Sequence, residues 1–202
     1  MKKILIATAA CLTLVTATNV LAAGSASAGK GKAAICATCH GADGNSPSSA
    51  FPKLAGQGEA YIVKQLNDFK SEARENAIMA PMVAALSEQD IADLAAYFSS
   101  NKITQGGTPE ELLAAGKALY HGGNKGSGAP ACMACHGPTG AGVPAAKWPA
   151  LSGQHAAYIE TQLKAFASGT RSNDPNSMMR DIASKLTADE VKAVAAYASG
   201  LH

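Results

Sequence analysis

The chain has 202 residues, of which 47% are hydrophobic but only 5% aromatic, and its 17 Lys and Arg nearly balance its 15 Asp and Glu. So even a balance, with no basic cluster, excludes a nucleic-acid footprint, which needs Lys and Arg gathered on one face. So few aromatics leave a thin core built from small side chains.

Met1-Lys2-Lys3 is a short basic start, Ile4 to Val20 is a mostly apolar run broken by Thr, and Val20-Leu21-Ala22 follows at the positions a signal peptidase reads. Residues 1–22 therefore read as a secretory signal peptide cleaved after Ala22, and Cys11 leaves with it. The run is too short and too rich in Thr for a membrane span. Lys2 and Lys3 are lost as well, so the 17 basic residues fall to 15, equal to the 15 acidic ones, and the mature chain is formally neutral.

The rest of the chain is written twice. Cys36-Ala37-Thr38-Cys39-His40-Gly41 returns as Cys132-Met133-Ala134-Cys135-His136-Gly137, and Phe51-Pro52-Lys53-Leu54-Ala55-Gly56-Gln57 returns as Trp148-Pro149-Ala150-Leu151-Ser152-Gly153-Gln154. Tyr61, Ile62, Gln65, Leu66 and Phe69 fall on one helical face, as do Tyr158, Ile159, Gln162, Leu163 and Phe166. Met79 and Leu86 are answered by Met179 and Leu186, and Tyr97 by Tyr197. Ser87-Glu88-Gln89-Asp90 and Thr187-Ala188-Asp189-Glu190 are capping-box starts, each leading into an apolar helical stripe. This is a duplication of a small helical domain. Loop formers between Ser99 and Pro109 mark the junction, which divides the chain into an N-terminal unit at 23–104 and a C-terminal unit at 105–202. Gly122 to Pro130 adds a Gly-rich loop to the second unit alone. The expected fold is all-α, with two tandem domains.

Two cysteines separated by two residues lie one helical turn apart, so both sulfurs reach one edge of a flat ligand. A His directly after them turns its imidazole toward that ligand's centre. This is the pattern for thioether attachment of haem c, with Cys36, Cys39, Cys132 and Cys135 as the covalent anchors and His40 and His136 as iron ligands. Two disulfides would give the histidines no role. A four-cysteine zinc site would have to join distant motifs, and a thioredoxin-like pair expects a βαβ setting that is absent.

With these motifs, the repeated Pro-x-Leu-x-Gly-Gln-x-x-x-Tyr blocks, Met-Arg-Asp-Ile-Ala-Ser-Lys-Leu from Met179 and the final Gly-Leu-His, the mature chain resembles a duplicated class I cytochrome c of the cytochrome c4 family. The resemblance implies two class I domains, each wrapped around one covalently attached haem, in a periplasmic electron carrier that is not an enzyme. It implies a quinol-oxidising complex of the bc type as donor and a terminal oxidase as acceptor, in a carrier that is soluble or loosely membrane-associated.

The class I pattern also places a Met ligand before the last helix of each unit. Met79 and Met179 correspond across the repeat and fit. Their neighbours Met82 and Met178 stand opposite Ile182 and Ile78, as packing positions would. Met133 is expected to pack. Pro52 and Pro149 match the proline whose carbonyl supports the proximal His, although each also suits a simple turn. Tyr61, Tyr158 and Trp148 read as core or as haem-edge residues. His121, His155 and His202 lack counterparts and are expected at the surface. Rival readings are a dihaem peroxidase-like or sulfur-compound-oxidising enzyme, which needs one labile sixth ligand, and a haem subunit of a dehydrogenase complex.

Overall fold

The computed structural model describes residues 23–202; the expected signal peptide lies outside the described residues. Among the described residues ten α-helices form two runs of five. The first comprises α1 (Ala26–Lys32), α2 (Ala34–His40), α3 (Glu59–Lys70), α4 (Met79–Val83) and α5 (Glu88–Ser100). The second comprises α6 (Glu110–Gly122), α7 (Met133–His136), α8 (Ala156–Ser168), α9 (Met178–Ala183) and α10 (Ala188–Ser199). Among the described residues no strand forms, and the extended pairing is limited to isolated bridges, Asn124 with Ala129 and Val143 with Trp148. The chain is all-α, as its periodicity indicated. No helix among the described residues is long and apolar enough to cross a membrane.

Each unit closes by crossing its first helix over its last, α1 on α5 and α6 on α10. Glycine makes the crossings possible. A β-carbon on Gly29 would lie 2.0 Å from the Asp93 carbonyl oxygen, and one on Gly116 would lie 2.4 Å from that of Ala193. The last helices start where the sequence says they should. Ser87 Oγ accepts from the Asp90 amide at 3.1 Å while the Asp90 carboxylate accepts from the Ser87 amide at 2.9 Å. Thr187 and Glu190 repeat this reciprocal cap at 3.2 and 2.8 Å. Two of the free amides at each helix start are thereby satisfied.

The third helix of each run then packs on the last, α3 on α5 and α8 on α10. Ala33, Ile62, Leu94, Ala95 and Phe98 fill the first core. Leu119, Tyr120, Ile159, Val194, Ala195, Tyr197, Ala198 and Leu201 fill the second. Around these cores Leu54, Leu66 and Leu86, with Leu151, Leu163 and Leu186, stay only partly buried. A fully buried Leu or Phe contributes about 1.5–3 kcal/mol, so cores this small leave each unit short of apolar burial.

Residues 101–109 join the units and are tied to both. Asn45 Oδ1 accepts from the Thr104 amide at 2.8 Å, and Thr108 Oγ1 donates to the Ala196 carbonyl at 3.2 Å. The extra Gly-rich loop is held to the start of α10, where Asn124 Nδ2 donates to Glu190 at 2.6 Å.

Candidate haem attachment sites

Both Cys-x-x-Cys-His motifs end a short helix on their histidine, and a glycine with positive φ, 81° at Gly41 and 78° at Gly137, turns the chain away. The turn returns the following proline segment to the histidine. Gly44 and Gly140 carbonyls each accept from the leucine amide of the Pro-x-Leu block, Leu54 and Leu151, at 2.7 Å. As a result His40 Nδ1 donates to the Pro52 carbonyl at 2.8 Å, and His136 Nδ1 donates to the Pro149 carbonyl at 2.9 Å. A carbonyl only accepts, so each Nδ1 carries the proton and each Nε2 is left with its lone pair for a metal. Both imidazoles are 7% exposed, and burial holds each below the usual histidine range despite the proline hydrogen bond. Both imidazoles are neutral and fixed in tautomer and orientation.

The four cysteines of the two motifs form no disulfide and are partly exposed. Burial pushes the Cys36 thiol up and the Cys132 thiol up to about 11. Neither has the depressed pKa of a redox-active thiolate. Among the described residues no group of three or more His, Cys, Asp or Glu stands where it could hold one ion. The zinc and thioredoxin-like readings therefore lose their support. Each motif carries a pair of thiols beside its buried imidazole, and half-buried leucines pack with Cys36 or Cys132 on the core of the same unit, which suits a flat apolar ligand anchored at one edge.

Met79 opens α4, which packs on α3, and Met179 lies in the first turn of α9, which packs on α8. Asn76 Oδ1 accepts from the Met79 amide at 2.9 Å. Ahead of Met179, Asn176 and Ser177 both adopt positive φ, 53° and 58°, a strained approach of the kind that gathers at functional sites. Met79, Met178 and Met179 are half-buried, whereas Met82 is 41% exposed. Met133 packs on the second core, as expected.

The two units meet through polar side chains that the sequence reading did not single out as a group. Arg74 donates to Gln65 of its own unit at 2.8 Å and, across the interface, to Tyr158 at 3.0 Å and Gln162 at 2.8 Å. Arg171 mirrors it, donating to Gln162 at 2.8 Å and, across the interface, to Tyr61 at 3.1 Å and Gln65 at 3.0 Å. Each guanidinium also lies over its own unit's phenylalanine, Phe69 or Phe166. Tyr61 and Tyr158 are thus interface acceptors as well as helix-face residues. Gln57 and Gln154 cross the interface too, pairing with the backbone of Ala150 and Lys53. The signal for all of these was the repeat itself, since each occurs in both copies at the same place.

The histidines without counterparts are placed differently from expectation. His202 is exposed, but His121 and His155 are half-buried. His121 bridges the Met133 sulfur at 3.1 Å and the Tyr197 hydroxyl at 3.0 Å, and His155 Nε2 donates to the Ser46 carbonyl across the interface at 3.0 Å. A lone histidine with a packed partner on each side gains more from those bonds than from water.

The cytochrome c family model matches residues 26–102 and again residues 113–201. A cytochrome c4 of Pseudomonas aeruginosa is 50% identical over 182 residues, covering 90% of each chain. A thiosulfate dehydrogenase electron acceptor of Stutzerimonas stutzeri is 45% identical over 169 residues, covering 82% of this chain and 78% of that one. The crystal structure of reduced recombinant cytochrome c4 from Pseudomonas stutzeri superposes with a TM-score of 0.87 at 46% identity, covering 89% of this chain and all of that one. Two tandem domains, each presenting paired thiols beside a buried neutral imidazole, make this chain a dihaem class I c-type cytochrome of the cytochrome c4 family, with two covalently bound haem c groups as its cofactors.

Proposed function

We propose that the protein is a periplasmic electron carrier, exported by the cleaved signal peptide at 1–22, and that it performs no chemistry on a substrate of its own. Its N-terminal unit at 23–104 holds one haem through Cys36 and Cys39, with His40 and Met79 as axial ligands. Its C-terminal unit at 105–202 holds the other through Cys132 and Cys135, with His136 and Met179. Bound haem would supply a one-electron iron couple, and a Met thioether ligand would favour its ferrous state.

The protein's own residues do the rest. The Pro52 and Pro149 carbonyls hold the imidazoles through Nδ1, which would leave each Nε2 free to hold the iron of a bound haem. A carrier benefits because little has to reorganise when the electron arrives or leaves. Half-buried leucines packed against each core would give a bound haem an apolar, water-poor surround, and the Arg–Tyr–Gln interface holds the two units against each other. The observation that carries this reading is the equivalence of the two sites. An enzyme of the peroxidase type needs one site to differ in its ligands, and both repeats offer a His–Pro pair and a Met.

The donor we propose is a bc-type quinol-oxidising complex and the acceptor a terminal oxidase. A second donor is favoured by a specific resemblance, since one relative is named for accepting electrons from thiosulfate dehydrogenase. Optical spectra of the mature holoprotein, oxidised and reduced, with and without carbon monoxide, test the carrier reading. Two low-spin haems indifferent to carbon monoxide are expected. One high-spin haem, or one that binds carbon monoxide readily, overturns it in favour of an enzyme. Reduction of the holoprotein by a bc-type complex, compared with reduction by a thiosulfate dehydrogenase, decides between donors.

A further inference from the structure

Gln57 and Gln154 do more than close the interface. The Pro52–Lys53 peptide group is used on both sides. Its carbonyl accepts from His40 Nδ1 at 2.8 Å, and its N–H donates to Gln154 Oε1, in the other unit, at 2.9 Å. Gln154 completes a two-point pair by donating from Nε2 to the Lys53 carbonyl at 2.8 Å. The mirror arrangement is present. The Pro149–Ala150 peptide accepts from His136 Nδ1 at 2.9 Å and donates to Gln57 Oε1 at 2.8 Å, and Gln57 Nε2 donates to the Ala150 carbonyl at 3.0 Å. Gln57 and Gln154 are 8% and 5% exposed, so little water competes for these bonds.

An amide that donates through its N–H becomes a better acceptor at its carbonyl, because hydrogen bonds in a chain polarise one another, most where the dielectric is low. A better acceptor draws the Nδ1 proton further and makes the imidazole more electron-rich. An electron-rich ligand stabilises ferric over ferrous iron. We infer that each unit tunes the proximal histidine of the other, Gln154 acting on His40 and Gln57 on His136 as positioning residues. The inference rests on the reading of His40 and His136 as iron ligands. Its consequence is that the reduction potential of each haem belongs to the assembled pair, so that separating the units changes both.

The test uses the dihaem holoprotein with Gln154→Leu or Gln57→Leu. Two quantities are read: the Nδ1–H resonances of His40 and His136 by NMR of the reduced, diamagnetic protein, and the reduced-to-oxidised ratio of each haem at fixed solution potential. In Gln154→Leu the His40 resonance moves toward a weaker hydrogen bond, and the N-terminal haem's ratio rises about threefold, equivalent to about 28 mV for a one-electron couple. The His136 resonance and its haem stay in place. In Gln57→Leu the pattern is exchanged. Should a leucine variant fail to take up haem, Gln154→Met and Gln57→Met, unbranched and similar in length, give the same readout. Tyr158→Phe removes one bond across the interface without touching either peptide, and it leaves both resonances in place. A change confined to the variant's own unit, equal in both units, absent from both, or reproduced by Tyr158→Phe overturns the inference while the ligand assignment stands. A wild-type protein in which His40 or His136 lacks the resonance of an iron-bound imidazole removes both.

Discussion

The guanidinium of Arg74, in the N-terminal unit, donates to the hydroxyl of Tyr158 in the C-terminal unit at 3.0 Å. Arg171 returns the bond to Tyr61 at 3.1 Å. The joint is therefore reciprocal, each arginine reaching a tyrosine on the third helix of the other unit, and polar side chains make it.

The two arginines share mirrored partners but differ in burial, and Arg171 Nε also donates to Asn173 at 2.9 Å. Arg171 is 8% exposed and Arg74 is half-buried. Arg171→Leu takes a donor from Gln65, Gln162, Tyr61 and Asn173 and is expected to cost about 3 kcal/mol, against about 1–2 kcal/mol for Arg74→Leu. Denaturant unfolding of the holoprotein checks both, and equal losses would contradict the burial argument.

Two glycines of α1 separate crowding from propensity. Gly29→Ala places a methyl group on the Asp93 carbonyl and is expected to destabilise the N-terminal unit by about 2–3 kcal/mol. Gly31 has nothing within 4 Å of the corresponding position. Gly31→Ala is expected to stabilise by up to about 1 kcal/mol through helix propensity. Thermal unfolding midpoints of the pair should move in opposite directions.

Acid should loosen the N-terminal unit first. Lys32 of α1 bonds Asp93 and Asp90 of α5, both at 2.6 Å. The Lys32 bond, helped by the Ser25 amide and Gln89, holds the Asp93 carboxyl at about 2 against an ordinary 3.8, and Asp90 is also lowered. A carboxylate depressed in the folded state contributes stability above its unfolded pKa and loses it as pH falls through the folded one. The loss is therefore expected between about pH 4 and pH 2. Ala193 stands where the C-terminal unit would need the second of these acids. Asp90→Asn with Asp93→Asn should flatten the dependence of the unfolding midpoint on pH in that window while lowering stability at neutral pH. An unchanged slope would show that other groups govern acid unfolding.

The methionines can be told apart by the open coordination position that each substitution leaves. Met79→Ala and Met179→Ala should each give one high-spin haem that binds carbon monoxide. Met82→Leu, at a side chain already 41% exposed, and Met178→Leu should leave both haems low-spin. A carbon-monoxide-binding haem in either leucine variant would move the ligand assignment by one helical turn or one residue.

Much of this protein is legible in one dimension, because its strongest determinants are local. The reciprocal caps at Ser87–Asp90 and Thr187–Glu190 need only residues three apart, and they form as the sequence indicates. The Cys-x-x-Cys-His spacing acts over one turn, and the duplication makes each motif the control for the other. The pairing of His40 with Pro52 and of His136 with Pro149 is only slightly longer in range. His121 and His155 were misplaced because their partners, Tyr197 and Ser46, lie far off in the chain.

The sequence alone determined the helical class, the duplication and the paired thiols with their histidines, since each follows from periodicity or from bonds within a few residues. Only the tertiary structure decided how the copies meet. Gln57 and Gln154 each reach a backbone group in the other unit, and Arg74 and Arg171 each serve both units at once. No pattern along the chain specifies that contact, because its geometry comes from two folded surfaces brought together and not from either strand of sequence by itself.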